Sequence, residues 1–257
     1  MIRSGFDKLA VQLRIRARWL RYALAERLSE PPSTVICPLC KLEDRPGSFA
    51  TRIAQDYFWG GRLVRRQCPG CDVIFGSSRM LSLSRQELDA EYRDLYSVYE
   101  ENDSTALELA AFEYLGPRPG GRYLNFGSGR WSKAMSTLRD RGHDIVGYEP
   151  YSTVEGAGKV ITREEDLRRL RFDGIMSNNL IEHLQDPVAA LTLQAGLLED
   201  QSSCMVHATS CYRYELEHSR FHLFFFVGRS VETLARRAGL RVEDTGHPDV
   251  RRYFRAG

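Results

Sequence analysis

Long apolar runs and an excess of charge of either sign are both missing from this sequence of 257 residues. Its longest conspicuous apolar stretch, FHLFFFV at 221–227, is much shorter than the roughly 18 to 20 residues that cross a bilayer as a helix. The formal net charge of +2 does not indicate a nucleic-acid partner, because a basic surface must be concentrated on one face. Internal repeats and low-complexity tracts are absent as well, so we expect a globular protein without a transmembrane helix.

A secretory signal is also lacking at the amino terminus. Arginines interrupt the apolar residues of the first 30 positions, and no small-residue cleavage site follows them. We therefore expect a cytoplasmic protein, in a compartment where reducing conditions disfavour disulfides. Six cysteines are present, four of them in two C-x-x-C pairs, and this spacing favours metal binding over disulfide formation.

Residues 1–32 predict a basic amphipathic helix that ends at Pro31 and Pro32. Its first apolar stripe is Phe6, Ala10, Leu13, Ala17, Leu20 and Leu24, its second is Val11, Ile15, Trp19 and Tyr22, and its arginines include Arg14, Arg18, Arg21 and Arg27. Such a helix either lies on a membrane surface, with its arginines on phosphates, or packs against protein. We favour protein packing, with peripheral contact at the inner membrane face as the alternative, so residues 1–30 are the candidate contact surface for a membrane or a protein partner.

Four cysteines in residues 33–80 have the spacing of a zinc-ribbon-like module. Cys37 and Cys40 are separated from Cys68 and Cys71 by a stretch that includes a predicted β-hairpin, turning at 60–61. Two such pairs place four thiolates around one tetrahedral ion and leave no position for water, which favours a structural zinc; redox-active cysteines are the alternative. A segment this short buries little apolar surface, so the metal would supply much of its folding free energy.

The remainder of the chain predicts an α/β domain after a helical connector. Residues 81–119 form the connector, in which Ser84 and Glu87 predict a capping box. From 120 to 257, short apolar strands alternate with helical stretches, which is the pattern of βαβ units. The strands are RYLNF, DIVGYE, KVIT, FDGIMS, CMVHAT, LRVEDTG and RRYFRA, and the helices include 132–141, 179–197 and RSVETLARRAG. We therefore expect a mostly parallel sheet with helices on both faces.

A glycine turn, RYLNFGSGRW at 122–131, follows the first of these strands. Gly127 and Gly129 allow positive φ and close approach of a ligand to the backbone, and the following helix presents free amides. Glu149 ends the next strand, about 20 residues on, where a carboxylate accepts both hydroxyls of an adenosine ribose. This geometry fits either a dinucleotide or S-adenosylmethionine.

Two downstream segments distinguish these cofactors. FDGIMSNNLIEHLQDPVAAL at 172–191 and HLFFFVGRSVETLARRAGLRVED at 222–244 resemble the regions after the fourth and fifth strands of class I S-adenosylmethionine-dependent methyltransferases. The similarity is greatest to the subgroup with an EHL-x-DP motif, here Glu182, His183, Leu184, Asp186 and Pro187. The resemblance covers about 120–257 and implies a Rossmann-like methyltransferase sheet. A zinc-binding module before such a domain is similar to an arrangement in bacterial methyltransferases of sugar and surface-polysaccharide pathways.

The resemblance implies S-adenosylmethionine as the cofactor and assigns roles to loop residues. The glycine turn would contact the methionine end, Glu149 the ribose, and the loop after the fourth strand would face cofactor and substrate. The implied cofactor residues are Asn125, Gly127, Ser128, Gly129, Trp131, Glu149, Ser177, Asn178 and Asn179. The family usually has an acid where this chain has Asn125, and commonly a third small residue where it has Trp131. Glu164 or Glu165 is the candidate contact of the adenine amine.

The expected reaction is methyl transfer to an oxygen of a sugar or glycan, which needs alignment and at most one base. His183 or His207 is the candidate base, because imidazole titrates near neutral pH. The candidate substrate contacts are Glu182, Glu217, His218 and His222. Two alternatives stay open: a catalytically degenerate, methyltransferase-like scaffold, suggested by Asn125 and Trp131, and an RNA methyltransferase whose arginines contact phosphates.

Overall fold

The computed structural model describes residues 5–99, 102–129, 132–150, 160–215 and 217–256. Its α-helices are α1 (Gly5–Leu28), α2 (Ser78–Ser82), α3 (Arg85–Tyr96), α4 (Thr105–Glu113), α5 (Lys133–Asp140), α6 (Glu164–Leu167), α7 (Pro187–Ala195) and α8 (Ser230–Arg237). Its strands are β1 (Val35–Ile36), β2 (Glu43–Asp44), β3 (Ala50–Gln55), β4 (Arg62–Gln67), β5 (Ile74–Phe75), β6 (Arg122–Phe126), β7 (Asp144–Tyr148), β8 (Val160–Ile161), β9 (Gly174–Asn178), β10 (Cys204–Ala208), β11 (Phe224–Phe225), β12 (Leu240–Asp244) and β13 (Val250–Arg255). Short 3-10 helices cover Pro46–Ser48, Ile181–His183 and Ser210–Tyr212.

The largest sheet has seven strands in the order β12-β13-β10-β9-β6-β7-β8. Neighbouring strands are parallel except at β13, which runs antiparallel to both β10 and β12. β6 has β7 on one side and β9 on the other, so the strand order reverses at β6. Ligands of open α/β sheets bind outside the carboxyl ends of the strands at such a reversal. The predicted Rossmann-like α/β fold class is confirmed.

Helices cover both faces of this sheet. On one face, Phe112 of α4 and Leu138 of α5 share a buried cluster with Tyr123 of β6. On the other face, Leu191 of α7 belongs to the buried cluster that includes Leu124 of β6. Successive residues of a strand point to opposite faces, and every residue of β10 is buried, as expected for a strand that is covered on both sides.

The segment that carries the four cysteines forms a second sheet, which a distant strand completes. The strand order is β11-β5-β4-β3, and each neighbouring pair is antiparallel. β11 comes from the apolar stretch 221–227, and both of its phenylalanines are fully buried. Arg65 of β4 is buried as well, and its guanidinium donates to the carbonyls of Glu217 and Ser219, each at 2.6 Å. Residues 33–80 therefore pack directly on 217–225.

The predicted hairpin is confirmed, with a longer turn than the glycine pair alone predicts. β3 and β4 pair over six residues each, and residues 56–61 form the turn between them. The carboxylate of Asp56 accepts from the amide of Gly60 at 2.7 Å, while Trp59 and Gly61 adopt positive φ of 65° and 82°. The side chain of Asp56 thus stabilises a turn that the sequence pattern places only at the two glycines.

Two helix signals in the sequence have different outcomes. The capping box is confirmed, because Ser84 and Glu87 each accept a hydrogen bond from the other's backbone amide. The single helix predicted over 179–197 is instead the 3-10 helix of 181–183 followed by α7. Pro187 starts α7, and the carboxylate of Asp186 caps it by accepting from the amide of Ala189 at 2.9 Å. Proline favours the first position of a helix and cannot continue one that began earlier.

The long helix α1 packs on α3 through its second apolar stripe. Val11, Ile15 and Trp19 are buried, and the indole of Trp19 donates to Glu91 of α3 at 3.2 Å. Arg18 pairs with the same Glu91 at 2.7 Å. The leucines of the first stripe, Leu13, Leu20 and Leu24, are exposed, as are Leu9 and Leu28. Within the described ranges, none of the helices is both long and apolar enough to cross a membrane.

A buried ionic network joins the hairpin turn, α3 and the segment 217–223. The guanidinium of Arg220 is fully buried and pairs with Asp56 at 2.7 Å and with Glu91 at 2.9 Å. It also donates to the carbonyl of Phe58 at 2.7 Å. Buried charges are tolerated when each is paired and hydrogen-bonded, and this network meets that condition. It fixes the chain that leads into His222.

Candidate active site

The glycine turn after β6 lies at the carboxyl edge of the sheet, where the strand order reverses. Gly127 and Gly129 have φ of 78° and 64°, in the left-handed region that favours glycine. The amides of Gly127 and Ser128 donate to the carbonyl of Tyr148 at 2.9 and 3.1 Å, which ties the turn to the end of β7. A Cβ at Gly127 would lie 2.7 Å from Leu180, whereas a Cβ at Gly129 would meet none of the described residues within 4 Å. The turn is therefore closely packed on one side and open on the other.

Glu149 follows β7 and reaches back over this turn. Its Oε2 accepts a hydrogen bond from the amide of Gly129 at 3.1 Å, and its own amide donates to the carbonyl of Ile161 at 3.0 Å. The sequence places the two residues 20 positions apart, and the parallel pairing of β6 and β7 brings them together. A carboxylate and an open backbone turn thus share one edge of the sheet.

A second carboxylate approaches the turn from α4. Asn125 is only 2% exposed, and its side-chain amide donates to Glu108 at 3.3 Å. The hydroxyls of Ser132 and Ser104 also donate to this carboxylate, each at 2.7 Å. β6 has an amide where the family usually has an acid, and Glu108 brings a negative charge to the same place. The sequence analysis missed Glu108, because no local pattern links α4 to the turn.

Trp131 lies outside the described residues, together with Arg130 and the segment 151–159. The expectation that its indole affects the cofactor pocket therefore stays a prediction.

The loop after β9 starts with three polar residues in different surroundings. The hydroxyl of Ser177 is buried and hydrogen-bonded to Nδ1 of His207. Asn179 is exposed, has a φ of 47°, and donates its amide to the carbonyl of Ala208 at 2.8 Å. The side-chain oxygen of Asn178 is buried and has no hydrogen-bond partner among the described residues. Of the three, Asn178 has a buried polar atom that a ligand could satisfy.

Glu182, His183 and His222 meet at the end of the same loop. One ligating atom of each lies within 4.8 Å of the others. Nε2 of His183 is 3.8 Å from Oε1 of Glu182, and the two imidazole rings are 5.0 Å apart between centroids. Leu223 holds the two segments together by donating its amide to the carbonyl of Glu182 at 2.7 Å. The structure thus gathers three of the predicted catalytic and substrate residues.

Burial controls the charge of this cluster. Glu182 is 1% exposed, and the loss of solvent raises the pKa of its carboxyl. Its Oε1 accepts from the hydroxyl of Thr209 at 2.7 Å, while its Oε2 has no hydrogen-bond partner among the described residues. Desolvation lowers the pKa of His183 to about 4, so that imidazole is neutral at pH 7. Tyr92 of α3 places its hydroxyl 3.4 Å from Nδ1 of His183.

The other predicted site residues lie elsewhere. His207 is fully buried, packs edge-on against Tyr253 with ring centroids 5.4 Å apart, and has a pKa lowered to about 3 by burial. His218 packs on the ring of Tyr57 in the hairpin turn, with centroids 5.2 Å apart, and lies 3.3 Å from the carboxylate of Glu217. The contacts of these three residues are with the sheet interior and the hairpin, not with His183.

The two acids considered for the adenine amine lie on the surface. Glu164 pairs with Arg168 at 2.6 Å and Glu165 with Arg163 at 3.6 Å, and all four side chains are largely exposed. Both acids therefore pair with exposed arginines that flank α6, Arg163 before it and Arg168 after it.

The four cysteines of the amino-terminal module converge on one point. Sγ of Cys37 is 3.7 Å from that of Cys71, and Sγ of Cys40 is 3.6 Å from that of Cys68. Four sulfurs at about 2.3 Å from one tetrahedral ion would be about 3.8 Å apart. The residues after the two pairs, Lys41 and Asp72, both have positive φ, of 65° and 68°. Two equivalent turns thus present a donor set that fits zinc.

The sheet order, the glycine turn and the acid after the next strand define the class I methyltransferase type of α/β domain. A family model described as a methyltransferase domain matches residues 99–245, more than half of the chain. The chain belongs to this family, and it is an S-adenosylmethionine-dependent methyltransferase.

Solved methyltransferase structures resemble the chain at low identity. Magnesium protoporphyrin IX methyltransferase from Synechocystis PCC 6803, with bound S-adenosylmethionine, is 15% identical, with a TM-score of 0.40 over 67% of this chain and 92% of its own. A 1,6-didemethyltoxoflavin-N1-methyltransferase from Burkholderia thailandensis, with S-adenosylhomocysteine, is 16% identical, with a TM-score of 0.49 over 76% and 96%. An O-methyltransferase family protein from the same organism is 12% identical, with a TM-score of 0.42 over 70% and 62%. These likenesses concern the fold alone, and no curated protein matches the sequence.

Proposed function

We propose that this enzyme methylates a hydroxyl oxygen of a sugar or glycan in a cell-surface polysaccharide pathway. The observation that supports an oxygen acceptor is the cluster of Glu182, His183 and His222 beside the glycine turn. Leu180 connects the two, because a Cβ built at Gly127 would lie 2.7 Å from its side chain and because it lies two residues before Glu182. A hydroxyl must lose its proton on methylation, and this cluster offers groups that take or acidify it. The pathway is proposed because a cysteine module before a methyltransferase domain is similar to the arrangement in bacterial methyltransferases of surface-polysaccharide pathways.

Three features would hold S-adenosylmethionine, which supplies an activated methyl group when it is bound. The open side of the turn at Gly129 leaves room for the methionine end. Glu149, already at this turn, would accept the ribose hydroxyls. Glu108 and Asn125 would bind the methionine amino group, because a carboxylate is the acceptor that an ammonium group prefers. The unpartnered oxygen of Asn178 lies on the same edge of the sheet.

His183 would act on the acceptor hydroxyl, and an imidazole in its position can do so in two ways. A neutral ring accepts the proton directly, as a general base. Alternatively, the ring holds a cation that acidifies the hydroxyl. His207 is the weaker candidate for either role, since all of its contacts lie in the interior of the sheet.

The cysteine module would bind a structural zinc through Cys37, Cys40, Cys68 and Cys71. The near-tetrahedral spacing of the four sulfurs supports this, and a closed set of four thiolates leaves no open position for substrate. The metal would hold β5, and β5 pairs with β11. Zinc would therefore contribute to the position of His222, which lies two residues before β11.

The exposed face of α1 would contact the inner membrane surface. Its leucines are not covered by protein, and exposed cationic residues flank them, including Lys8, Arg16, Arg21 and Arg27. Apolar residues flanked by arginines and lysines favour a surface of anionic lipid. Such a contact would keep a cytoplasmic enzyme near lipid-linked glycan precursors.

The test is methyl transfer from S-adenosylmethionine labelled in its methyl group. Purified protein would be offered nucleotide sugars, bacterial surface oligosaccharides and RNA as separate acceptors, after calorimetry has measured cofactor binding. We expect labelled O-methyl sugar, and His183→Ala should lower the rate at least 100-fold without weakening cofactor binding. Asp166→Asn on the exposed helix α6 is the matched control and should leave the rate unchanged.

Two results would favour the alternatives. Cofactor binding that stays undetectable at high micromolar concentration would favour a degenerate scaffold. Transfer to RNA, with affinity that falls steeply as salt rises, would favour an RNA methyltransferase.

A further inference from the structure

We propose that Glu182, His183 and His222 bind one divalent cation, of the class of Zn²⁺ or Mn²⁺, which in turn binds the acceptor oxygen. One carboxylate and two imidazoles are a common donor set for catalytic metal ions, and a set of three leaves coordination positions open for substrate. The role of this cation in methyl transfer rests on the proposed function, whereas the existence of the site does not.

The donor atoms are already close enough to share an ion. Donors at about 2.1 Å from one ion lie roughly 3 to 4 Å from each other. Nε2 of His183 and Oε1 of Glu182 are 3.8 Å apart, and the three ligating atoms all lie within 4.8 Å. Small rotations of the imidazole of His222 would close the remaining gap.

Among the described residues, the carboxylate of Glu182 forms no ion pair with a lysine or an arginine, and its ionisable neighbours are His183 and His222. It is 1% exposed, and its Oε2 has no hydrogen-bond partner within the described part of the chain. The nearby buried cation, Arg220, is paired with Asp56 and Glu91 instead. A buried carboxylate without a compensating charge is destabilising, and a bound cation would supply that charge.

Neighbouring side chains hold the donors in ligating orientation. Thr209 donates its hydroxyl to Oε1 of Glu182 at 2.7 Å and is itself fixed by the amide of Cys211 at 3.0 Å. Tyr92 lies at Nδ1 of His183 and so leaves Nε2 facing Glu182. Metal ligands are characteristically oriented by such outer partners.

The position of the cluster fits an action on the acceptor. A cation beside the turn would bind one hydroxyl of a sugar, or two neighbouring ones, and lower the pKa of the oxygen that reacts. His183 then serves as a ligand and not as a base. The acceptor O–H bond breaks and its proton passes to solvent, while the oxygen gains the methyl group and the former bonding pair stays on the sulfur of the cofactor. A vicinal diol is the acceptor that this geometry favours.

The test is a Mn²⁺ titration of full-length protein whose cysteine site is already loaded with zinc, followed by electron paramagnetic resonance and calorimetry. We expect one Mn²⁺ per chain. Glu182→Gln keeps the shape of the side chain and removes its charge, and His222→Ala removes a partly exposed ligand. Each should weaken binding at least tenfold, whereas His247→Asn in the turn between β12 and β13 should not.

The outcomes separate the two proposals. Absent Mn²⁺ binding up to 1 mM, on the order of weak carboxylate sites, or binding that both variants leave unchanged, would overturn the cation site. Circular dichroism identifies a variant that has failed to fold. If Glu182→Gln fails to fold, the Mn²⁺ affinity of His222→Ala decides whether the site exists. If the protein does not bind Mn²⁺ and still transfers methyl groups after treatment with a chelator, the cation site is wrong and the proposed function is retained. Tight Mn²⁺ binding without cofactor binding would leave the site standing and remove the function.

Discussion

At the scale of single residues, Glu108 brings a carboxylate to the place where β6 has Asn125 and the resemblance implies an acid. The carboxylate comes from a helix that precedes the sheet, and Asn125, Ser132 and Ser104 all donate to it. Its charge stands at the turn where the methionine amino group is expected. An absent acidic residue in a motif is therefore weak support for lost cofactor binding.

We expect Glu108→Gln to weaken the binding of S-adenosylmethionine about 10- to 100-fold, because a charge-assisted hydrogen bond contributes about 1.5 to 3 kcal/mol. Calorimetric titration measures the change. Glu113→Gln on the same helix is the matched control. The carboxylate of Glu113 is exposed, and its contact with Arg141, at 3.9 Å, is a long surface ion pair. Equal affinity of the two variants would contradict the role of Glu108.

His207 gives a prediction about pH. Its pKa is lowered from 6.5 to about 3 by burial, so below pH 6.5 the unfolded chain binds a proton that the folded chain does not. Stability is therefore lost as the pH falls from 6.5 towards 3, by about 2 kcal/mol between pH 7 and pH 5 from this group. Urea unfolding with saturating zinc measures it. His207→Gln should show a shallower decline over the same range, and an identical decline would exclude this histidine as a cause.

Strand ends and motif spacing in the sequence predict that Gly127, Gly129, Glu149, Glu182 and His183 lie at one edge of the sheet. The same signals do not separate His183 from His207, since one follows β9 and the other lies near the carboxyl end of β10 in the same sheet. Burial makes the difference: His207 points into the covered face, whereas His183 lies beyond the end of β9. Glu108 had no signal at all, because its contact with Asn125 exists only once α4 has packed on the sheet.

At the scale of elements, local signals predicted helix starts well and long-range pairing poorly. The capping box of α3 depends on residues three positions apart and is present as predicted. The pairing of β5 with β11 depends on segments that no local pattern relates, and an apolar stretch of five to seven residues fits many neighbours. The break between the 3-10 helix and α7 had a local signal in Pro187, which the periodicity of the surrounding apolar residues obscured.

The cysteine module gives a prediction at this scale. We expect Cys68→Ser to lower zinc content well below one per chain and to speed hydrogen exchange in both β5 and β11, because the two strands share hydrogen bonds. Mass spectrometry after exchange resolves these strands. Cys204→Ala, which removes a buried thiol of β10, should retain zinc. Protection of β11 that does not change when zinc is lost would show that the strand is held independently of the metal.

At the scale of the whole molecule, α1 has one covered and one uncovered face. Val11, Ile15 and Trp19 are anchored on α3, so the outward leucines are held at a fixed place on the surface. A free amphipathic tail must become helical when it binds a membrane, whereas this apolar face with its flanking arginines is already part of a packed helix. Membrane contact through this face would also fix the orientation of the glycine turn relative to the lipid.

We expect the protein to co-sediment with vesicles that contain about 30% anionic lipid, and less at high salt, because arginine attraction is screened. Leu20→Gln combined with Leu24→Gln should reduce the bound fraction severalfold without changing the melting temperature. The matched control is Ile53→Gln, which replaces an exposed apolar residue of β3. Leu83→Gln is unsuitable as a control, because Leu83 is buried. Binding that the leucine changes leave intact would point away from α1.

The pairing of β5 with β11 also has a consequence during synthesis on the ribosome. β5 ends at residue 75 and β11 begins at residue 224. The edge of the small sheet at β5 therefore stays unpaired while the ribosome synthesises the intervening chain. At about 5 to 20 residues per second, that delay is roughly 7 to 30 s. An open, apolar strand edge recruits other chains, and zinc binding alone cannot cover it. We therefore expect residues 62–75 of the nascent protein to be accessible to chaperones, or to other chains, during this period.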